Sequence, residues 1–321
     1  MGVDKTPRRV LITGAAGHIG VRLVEYLASQ PDIQLRLATH HTTTSAFADY
    51  GELVTGDLLD AEFCTQLVSR CDAVVNLASV PTQSAVDSIA IRQHDTMITN
   101  LLWAAQSNRV RRFVHLSSIH VHGSMLQGVI TEATPIAPTT PYGKAHAHAE
   151  ELILRASADA AALGDTSTAH LILRCTNGFG ASNSLAQAPW SLLTGDLCLQ
   201  AAAGSILRLS THGEHQRDFI TISDLVQAIA FFLLQSPETG VVLLGSGVSI
   251  TLREMAYVIA ARAGVMFGRQ YSVACNDNDY EIPTRYRLDT RHLRECGFVP
   301  VNEVDREIDL LLAAAARRLG R

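Results

Sequence analysis

No C-x-x-C pair occurs among the six cysteines, Cys64, Cys71, Cys175, Cys198, Cys275 and Cys296. A disulfide framework or a zinc site is therefore not expected, and reduced thiols in a cytoplasm fit best. No basic run is longer than a pair, and the formal charge is −5 with a pI near 6.2. Nucleic acid and anionic membrane surfaces are thus poor partners, while small neutral or anionic ligands stay open. Long apolar runs are missing too. The strongest, Leu225 to Leu234, contains Gln227 and is too short to cross a bilayer, and no signal-peptide pattern opens the chain. Met1-Gly2 with Thr6 fits only the loose myristoylation pattern, without a polybasic or second lipid signal beside it. Internal repeats and low-complexity segments are absent. What is present is 321 residues, 47% of them apolar, enough for one large or two moderate domains with a sizeable core.

The run Arg9-Val10-Leu11-Ile12 has strand length and ends in Thr13-Gly14-Ala15-Ala16-Gly17-His18-Ile19-Gly20, before a helical pattern from Val21 to Ala28. Gly14 permits a tight turn, Gly17 lets backbone approach a pyrophosphate, and Gly20 lets helix pack on strand; the helix N-terminus favours the anion. Strands are predicted at Ile33–Ala38, Leu53–Thr55, Ala73–Ala78, Arg112–Leu116 and Leu171–Leu173, with helices near Ala61–Ser69, Ile98–Gln106 and Tyr142–Ala162. Such alternation predicts an α/β fold with a Rossmann-type doubly wound parallel sheet, whose ligands sit at the carboxyl ends of the strands. After Gly180 the alternation weakens. A helix from Leu225 to Gln235, a strand near Val241–Leu244 and helices near Leu252–Ala263 and Val304–Leu319 are expected there. The reading is a dinucleotide-binding part over 8–180 and, over 181–321, a smaller C-terminal substrate lobe with some segments returning to the first part.

Taken in order, Thr13-Gly14-x-x-Gly17-x-x-Gly20, Gly56-Asp57-Leu58, Asn76-Leu77-Ala78, Ser117-Ser118-x-x-Val121-x-Gly123 and Pro141-Tyr142-Gly143 resemble the extended short-chain dehydrogenase/reductase family, in its group of sugar-nucleotide epimerases and dehydratases. Arg174-x-x-Asn177-x-x-Gly180 and Gly213-x-x-x-Arg217-Asp218-Phe219-x-x-x-x-Asp224 extend the resemblance to about Pro300. It implies a nicotinamide dinucleotide lying along Gly14, Ala16, Gly17, His18 and Ile19, with Asp57 and Leu58 near the adenine and Asn76 and Ala78 on the nicotinamide side. For Asp57 and Asn76 the residues also allow plain turn roles. The resemblance implies a homodimer packed through two helices per subunit. No metal is expected.

Choice between NAD and NADP depends on the residues just after the second strand, where a carboxylate would hold the ribose hydroxyls and repel a 2′-phosphate. This chain has Ala38-Thr39-His40-His41-Thr42 there. The missing acid, with His40 able to tolerate a phosphate, tips the expectation to NADP by a small margin, with NAD kept open.

Hydride transfer at a ring hydroxyl or ketone needs a group that moves the hydroxyl proton. By resemblance that group is Tyr142, with Ser118 on the same substrate oxygen and a lysine four residues after the tyrosine lowering its pKa. Here that residue is His146. At about 100° per residue His146 lies about 40° from Tyr142 around a helix, and Lys144 about 200° away, so Lys144 is no substitute. A unit charge about 5 Å from the phenol is worth on the order of 3 kcal/mol, or about two pKa units, which a neutral imidazole does not supply. At a reference pKa near 6.5 about a quarter of such histidines are charged at pH 7, and Glu150, one turn further on, is placed to raise that fraction. Three readings are open: a working substitute for lysine, a binder of ribose hydroxyls, or an impaired site.

Dehydratases of the group resemble one another in an Asp-Glu pair after the active-site hydroxyl, whereas Ile119-His120 come after Ser118, so dehydration is disfavoured. His120 is a candidate substrate contact, and His122 a packing and hydrogen-bonding residue. Asn177, Arg217 and, more weakly, Arg287 are candidates for a substrate diphosphate, since guanidinium binds phosphate bidentately. Asp218 and Asp224 are expected to order the loop and cap the helix at Leu225. The activity expected is that of an NAD(P)-dependent oxidoreductase on a nucleotide-sugar substrate, keto-sugar reduction slightly ahead of epimerisation. A dinucleotide-binding regulatory protein without turnover is the alternative of another class.

Overall fold

The computed structural model describes residues 9–41, 47, 49–79, 87–181, 190–204, 206–276 and 278–321. The Met1-Gly2 pattern, Arg8 and Thr42 lie outside them. The chain opens with β1 (Arg9–Thr13), α1 (His18–Ala28), β2 (Gln34–Thr39), β3 (Glu52–Thr55), α2 (Ala61–Val68), β4 (Ala73–Asn76), α3 (Asp87–Ser107) and β5 (Arg112–Ser118). A 3₁₀ turn (Ile119–His122) leads to β6 (Gln127–Ile130), α4 (Pro141–Ala162), β7 (Ala169–Cys175) and β8 (Asn177–Phe179). Then come α5 (Leu193–Ala203), β9 (Leu207–Arg208), β10 (Gln216–Thr221), α6 (Ile222–Leu234), β11 (Gly240–Leu244), β12 (Ser249–Thr251) and α7 (Leu252–Phe267). The chain closes with β13 (Val273–Ala274), β14 (Arg285–Leu288), α8 (Arg291–Glu295) and α9 (Val304–Arg318).

Seven strands form one parallel sheet in the order β11-β7-β5-β4-β1-β2-β3. Strands covered on both faces read as continuous apolar runs, and Val10, Leu11 and Ile12 are all fully buried. One face carries α1 and α6 over Val10, Ile12 and Val75; the other carries α2, α3 and α4 over Leu11, Val74 and Phe113. The strand order reverses between β1 and β4, which opens a crevice at their carboxyl ends. A third core joins α5, α7 and α9 around Phe179 and Phe219.

Three sequence expectations shift. Residues 240–244, read as part of the smaller lobe, supply the edge strand of the main sheet, paired in register with β7. The helix expected from Leu225 begins at Ile222, because the Thr221 hydroxyl, not Asp224, caps it, accepting from the backbone N–H of Asp224. Asp224 accepts instead from the backbone N–H groups of Val301 and Asn302, at 2.7 and 3.0 Å, and so pins the approach to α9. The helix expected near Ile98 starts at Asp87, its first turns being too polar to show a clean apolar period.

Candidate active site

At the strand reversal lies a cleft of about 670 Å³ lined by Gly14, Gly17, Ser118, Tyr142, His146 and Asn177, among others. That volume suits a small-molecule site. Gly14 has φ +67°, a left-handed conformation, and a β-carbon there would stand 2.9 Å from the backbone nitrogen of Ala78. At Gly20 a β-carbon would strike the carbonyl oxygens of Gly14 and Ala15, so only glycine lets α1 start this close to β1. Gly17 occupies the N-cap of α1 with no side-chain cap, leaving the first helical N–H groups to a ligand. These residues fit a dinucleotide pyrophosphate.

His18, Ile19 and Ala78 also line the cleft, and Ala16 lies half-buried in the turn between Gly14 and Gly17. Asn76 is fully buried, receives a 2.5 Å hydrogen bond from the Thr13 hydroxyl and lies 3.0 Å from His115 Nδ1, so it braces the β1–β4 seam from beneath. Exposed Asp57 accepts from the Leu59 N–H at 2.9 Å, the turn geometry of an aspartate, while Leu58 packs on the α2–α3 core. His40 and His41 are exposed after β2, ring centroids 4.4 Å apart. Arg36 points away from them, held by Glu52 and by the carbonyls of Leu67 and Ser69.

Helix α4 is started by Pro141 and capped by Thr140, whose hydroxyl accepts from the Gly143 N–H. That places Tyr142 at the cleft, 38% exposed, sharing a hydrogen bond with Ser118. His146 sits one turn below, its ring centroid 4.5 Å from that of Tyr142. The His146 ring does not stand alone. His94 from α3 and His115 from β5 surround it, with centroids 5.7 and 6.1 Å away, and all three are at least 96% buried. Both ring nitrogens of His146, and Nε2 of His115, lack a hydrogen-bond partner within the protein.

Burial, helped by the neighbouring histidines, pulls His146 from its usual value to about 3. The same desolvation lowers His94 and pushes His115 well below the ordinary range. Glu150 does not rescue the charge. Its carboxylate is already taken by Arg174, through Nε and Nη2 at 2.9 and 2.7 Å, and by the Ser117 hydroxyl at 2.5 Å. Burial thus favours the neutral imidazole at His146, and Glu150, engaged elsewhere, does not raise its charged fraction. Burial also raises the Tyr142 phenol above its usual value, partly offset by Ser118.

The sign of these shifts sets a stability test. Histidines held neutral in the fold contribute fully above their unfolded pKa near 6.5, and the contribution is lost as pH falls below it. Each such group costs about 1.4 kcal/mol per pH unit in that range, and His146 keeps costing it down to its folded value of about 3. Urea unfolding at two or three pH values below 6.5 should therefore show a steep decline, made shallower by one histidine's share in His146→Gln. An identical pH slope in variant and parent would mean that His146 is not held neutral.

On the substrate side His120 lines the cleft, its ring centroid 5.9 Å from that of Tyr142, and burial and Arg217 lower its pKa. Asn177 lines it too and donates to the Asp218 carbonyl at 2.9 Å. Asp218 is fully buried and accepts from the Thr176 hydroxyl and from the backbone N–H groups of Ser246 and Gly247, an ordering role. Half-buried Arg217 is close enough to act on His120 and Tyr286. Arg287 is exposed on β14 beside Gly247 and Arg285, on a depression apart from the one that holds Tyr142. His122 packs and bonds as expected, with Nδ1 3.0 Å from the Pro135 carbonyl.

A model of the NAD dependent epimerase/dehydratase family matches residues 10–245, nearly three quarters of the chain. The chain belongs to this family. Over 305 residues it is 29% identical to a low-salt glycan biosynthesis protein of Haloferax volcanii, covering 91% of this chain and 93% of that one. It is also 29% identical to a dTDP-glucose 4,6-dehydratase of Streptomyces niveus, over 91% and 88% of the two chains. Among solved structures, a UDP-glucuronic acid 4-epimerase of Bacillus cereus in complex with NAD superposes with a TM-score of 0.81 at 18% identity, over 98% of this chain and 100% of that one. Family members are sugar-nucleotide epimerases and dehydratases, which makes this chain one of an enzyme family acting on sugar nucleotides.

Within this family member, the sequence motifs brought Gly14, Ser118, Tyr142, His146 and Asn177 into one cleft. They did not reveal His94 and His115. His115 sits mid-strand between Val114 and Leu116 and His94 mid-helix between Gln93 and Asp95, and only the packing of α3 on α4 over β5 turns the two rings toward His146. Nor was the Glu150–Arg174 pair legible, since its partners are 24 residues apart on different elements.

Proposed function

We propose that the protein is an NAD(P)-dependent oxidoreductase whose net reaction is reduction of a keto-sugar nucleotide. The observation that carries this reading is the burial of His146 beneath Tyr142 with neither ring nitrogen partnered by a carboxylate, an environment that favours the uncharged imidazole. Oxidising an alcohol requires a base, and a phenol held above its usual pKa with no charge below it is a poor one. Reducing a ketone requires a proton donor, which such a phenol is. The nicotinamide dinucleotide supplies the hydride when bound. Ser118 orients the substrate oxygen, Tyr142 gives it the proton, and the free ring nitrogens of His146 receive the ribose hydroxyls. Asn177 and Arg217 hold the substrate diphosphate, and residues 181–321, apart from α6 and β11, shape its lobe. Ile119-His120 after Ser118, in place of an acidic pair, disfavour dehydration.

The test is consumption of NADPH or NADH by the purified protein on 4-keto-sugar nucleotides. Tightly bound NAD that copurifies, together with interconversion of two epimers and no net consumption, would establish epimerisation instead. Protein that binds dinucleotide and turns over neither substrate would favour the regulatory reading.

For the cofactor, no carboxylate stands at the end of β2 among the described residues, and Arg36 is engaged elsewhere. NADPH should be used within about tenfold of NADH, and His40→Asp should shift the ratio about tenfold toward NADH by repelling a 2′-phosphate. A wild-type preference for NADH of about a thousandfold would refute this. The working unit in this reading is a homodimer packed through α3 and α4, where Trp103 is 65% exposed. A monomer mass in sedimentation at micromolar concentration would rule it out.

A further inference from the structure

Away from the cleft, three chain segments bring Glu132, Glu238, His292 and Cys296 together. His292 and Cys296 are one turn apart at α8, so their side chains share a face. His292 Nε2 is 3.6 Å from Glu238 Oε1, and Cys296 Sγ is 3.5 Å from Glu238 Oε2. The ligand atoms of Glu238, His292 and Cys296 all lie within 4.8 Å of one another. With a zinc ion at ordinary bond lengths, a tetrahedral site needs nitrogen and oxygen about 3.4 Å apart and sulfur and oxygen about 3.6 Å apart. Each measured spacing is within about 0.2 Å of these values, but the two run to different oxygens of the Glu238 carboxylate. That carboxylate straddles the gap between the nitrogen and the sulfur, so a small turn of it brings one oxygen to both.

The support around the histidine points the same way. Glu132 Oε1 is 3.4 Å from His292 Nδ1 and is itself fixed by the Leu243 N–H at 3.1 Å. A carboxylate on Nδ1 holds that nitrogen protonated and leaves the Nε2 lone pair to face Glu238, the usual outer-shell arrangement of a ligating histidine. Glu132 and Glu238 supply two negative charges, and His292 and Glu238 are about one third exposed, which leaves an entry path and a position for water.

The other histidine cluster, His212, His215 and Asp279, makes a useful contrast. Nδ1 of His212 accepts from the Glu214 N–H and Nδ1 of His215 from the Thr284 N–H, at 2.9 and 3.2 Å. Both rings therefore carry their proton on Nε2, and that of His212 donates to the Glu281 carbonyl at 3.0 Å. With its proton on it, neither Nε2 has a lone pair to offer a metal.

We propose that Glu238, His292 and Cys296 form a site for a divalent cation of the zinc class, with Glu132 positioning His292. Binding displaces the Cys296 thiol proton, now donated to Glu238, to solvent and forms the metal–thiolate bond, with no change in oxidation state. The ion would fasten the entry to β11, α8 and the segment after β6 to one another. A lack of paired cysteines in the sequence excludes a four-cysteine site, not this mixed one.

The full-length protein, stripped with chelator and titrated with Zn²⁺ against a competing dye, should take one ion per chain at this site and unfold about 4 °C higher at a hundredfold excess over Kd. Co²⁺ as the probe should give a thiolate-to-metal charge-transfer band that Cys296→Ser abolishes. Glu132→Gln should weaken the affinity about 10–100-fold while keeping the band. Since Cys296→Ser and Glu132→Gln are near-isosteric, circular dichroism matching the parent separates loss of the site from loss of the fold. Co²⁺ binding without a thiolate band, binding unchanged in Cys296→Ser, or binding lost in His212→Asn but kept in His292→Asn would each overturn the assignment, as would no binding at all.

Discussion

Tyr142→Phe should lower the rate of hydride transfer by about 10²–10⁴, the usual cost of removing a positioned general acid, while leaving dinucleotide affinity almost unchanged. The ring keeps its place on α4 and its packing beside His146 and His120, so only the phenolic hydroxyl and its hydrogen bond with Ser118 are lost. Ser118→Ala should cost less, about tenfold, because it removes orientation of the substrate oxygen and not the proton itself. Single-turnover measurements with pre-bound cofactor separate the two from effects on product release. A Tyr142→Phe enzyme within tenfold of the parent would shift the donor role to another group. His120, whose ring is 5.9 Å from that of Tyr142, is the next to replace.

The second large effect is a gain. Putting lysine at position 146 introduces a charge about 5 Å from the phenol, worth on the order of 3 kcal/mol, or about two pKa units, at an effective dielectric near 20. Oxidation of the sugar alcohol, which needs the phenolate, should then rise about 10–100-fold near pH 7, and the rising limb of its pH profile, set by the phenol, should move about two units toward neutrality. Reduction should change much less, since the phenol is protonated at pH 7 in both proteins. His94 and His115 set an upper bound: the new ammonium would sit beside two buried neutral rings and lose part of its own charge to desolvation. A pH–rate profile for oxidation identical in parent and variant would mean that charge at 146 does not control Tyr142, and the proposed direction of net reaction would lose its support.

How much of this was readable from residues alone differs between fold and site. Glycine positions 14, 17 and 20 are legible because each answers a steric demand that no other residue meets, and the apolar strands because parallel strands are covered on both faces. Strand β11 was visible as an apolar stretch, but its sheet was not, since a return to the edge beside β7 spans the whole middle of the chain. In β14 the residues alternate polar and apolar, but β6 and β14 are only four residues each and pair with each other across more than 150 residues, so nothing local joins them. In the site, helix periodicity alone places His146 below Tyr142 and excludes Lys144. Its charge state is another matter, because it depends on His94, His115 and the prior engagement of Glu150. Those are facts of tertiary contact, and sequence spacing is silent on them.

The buried Arg174–Glu150 pair has a consequence for how this site can be changed. Glu150 fixes α4 to β7 through Arg174 and to β5 through Ser117, two turns beyond Tyr142. The tyrosine's position is thus decided at 150 and 174, while the electrical environment of its hydroxyl is decided at 146. Two properties that are often entangled in one residue are separated along a single helix. A change at 146 therefore alters the electrical environment of the phenol while Glu150, Arg174 and Ser117 still hold the register of the helix, so the placing of the tyrosine and the tuning of its hydroxyl answer to different positions.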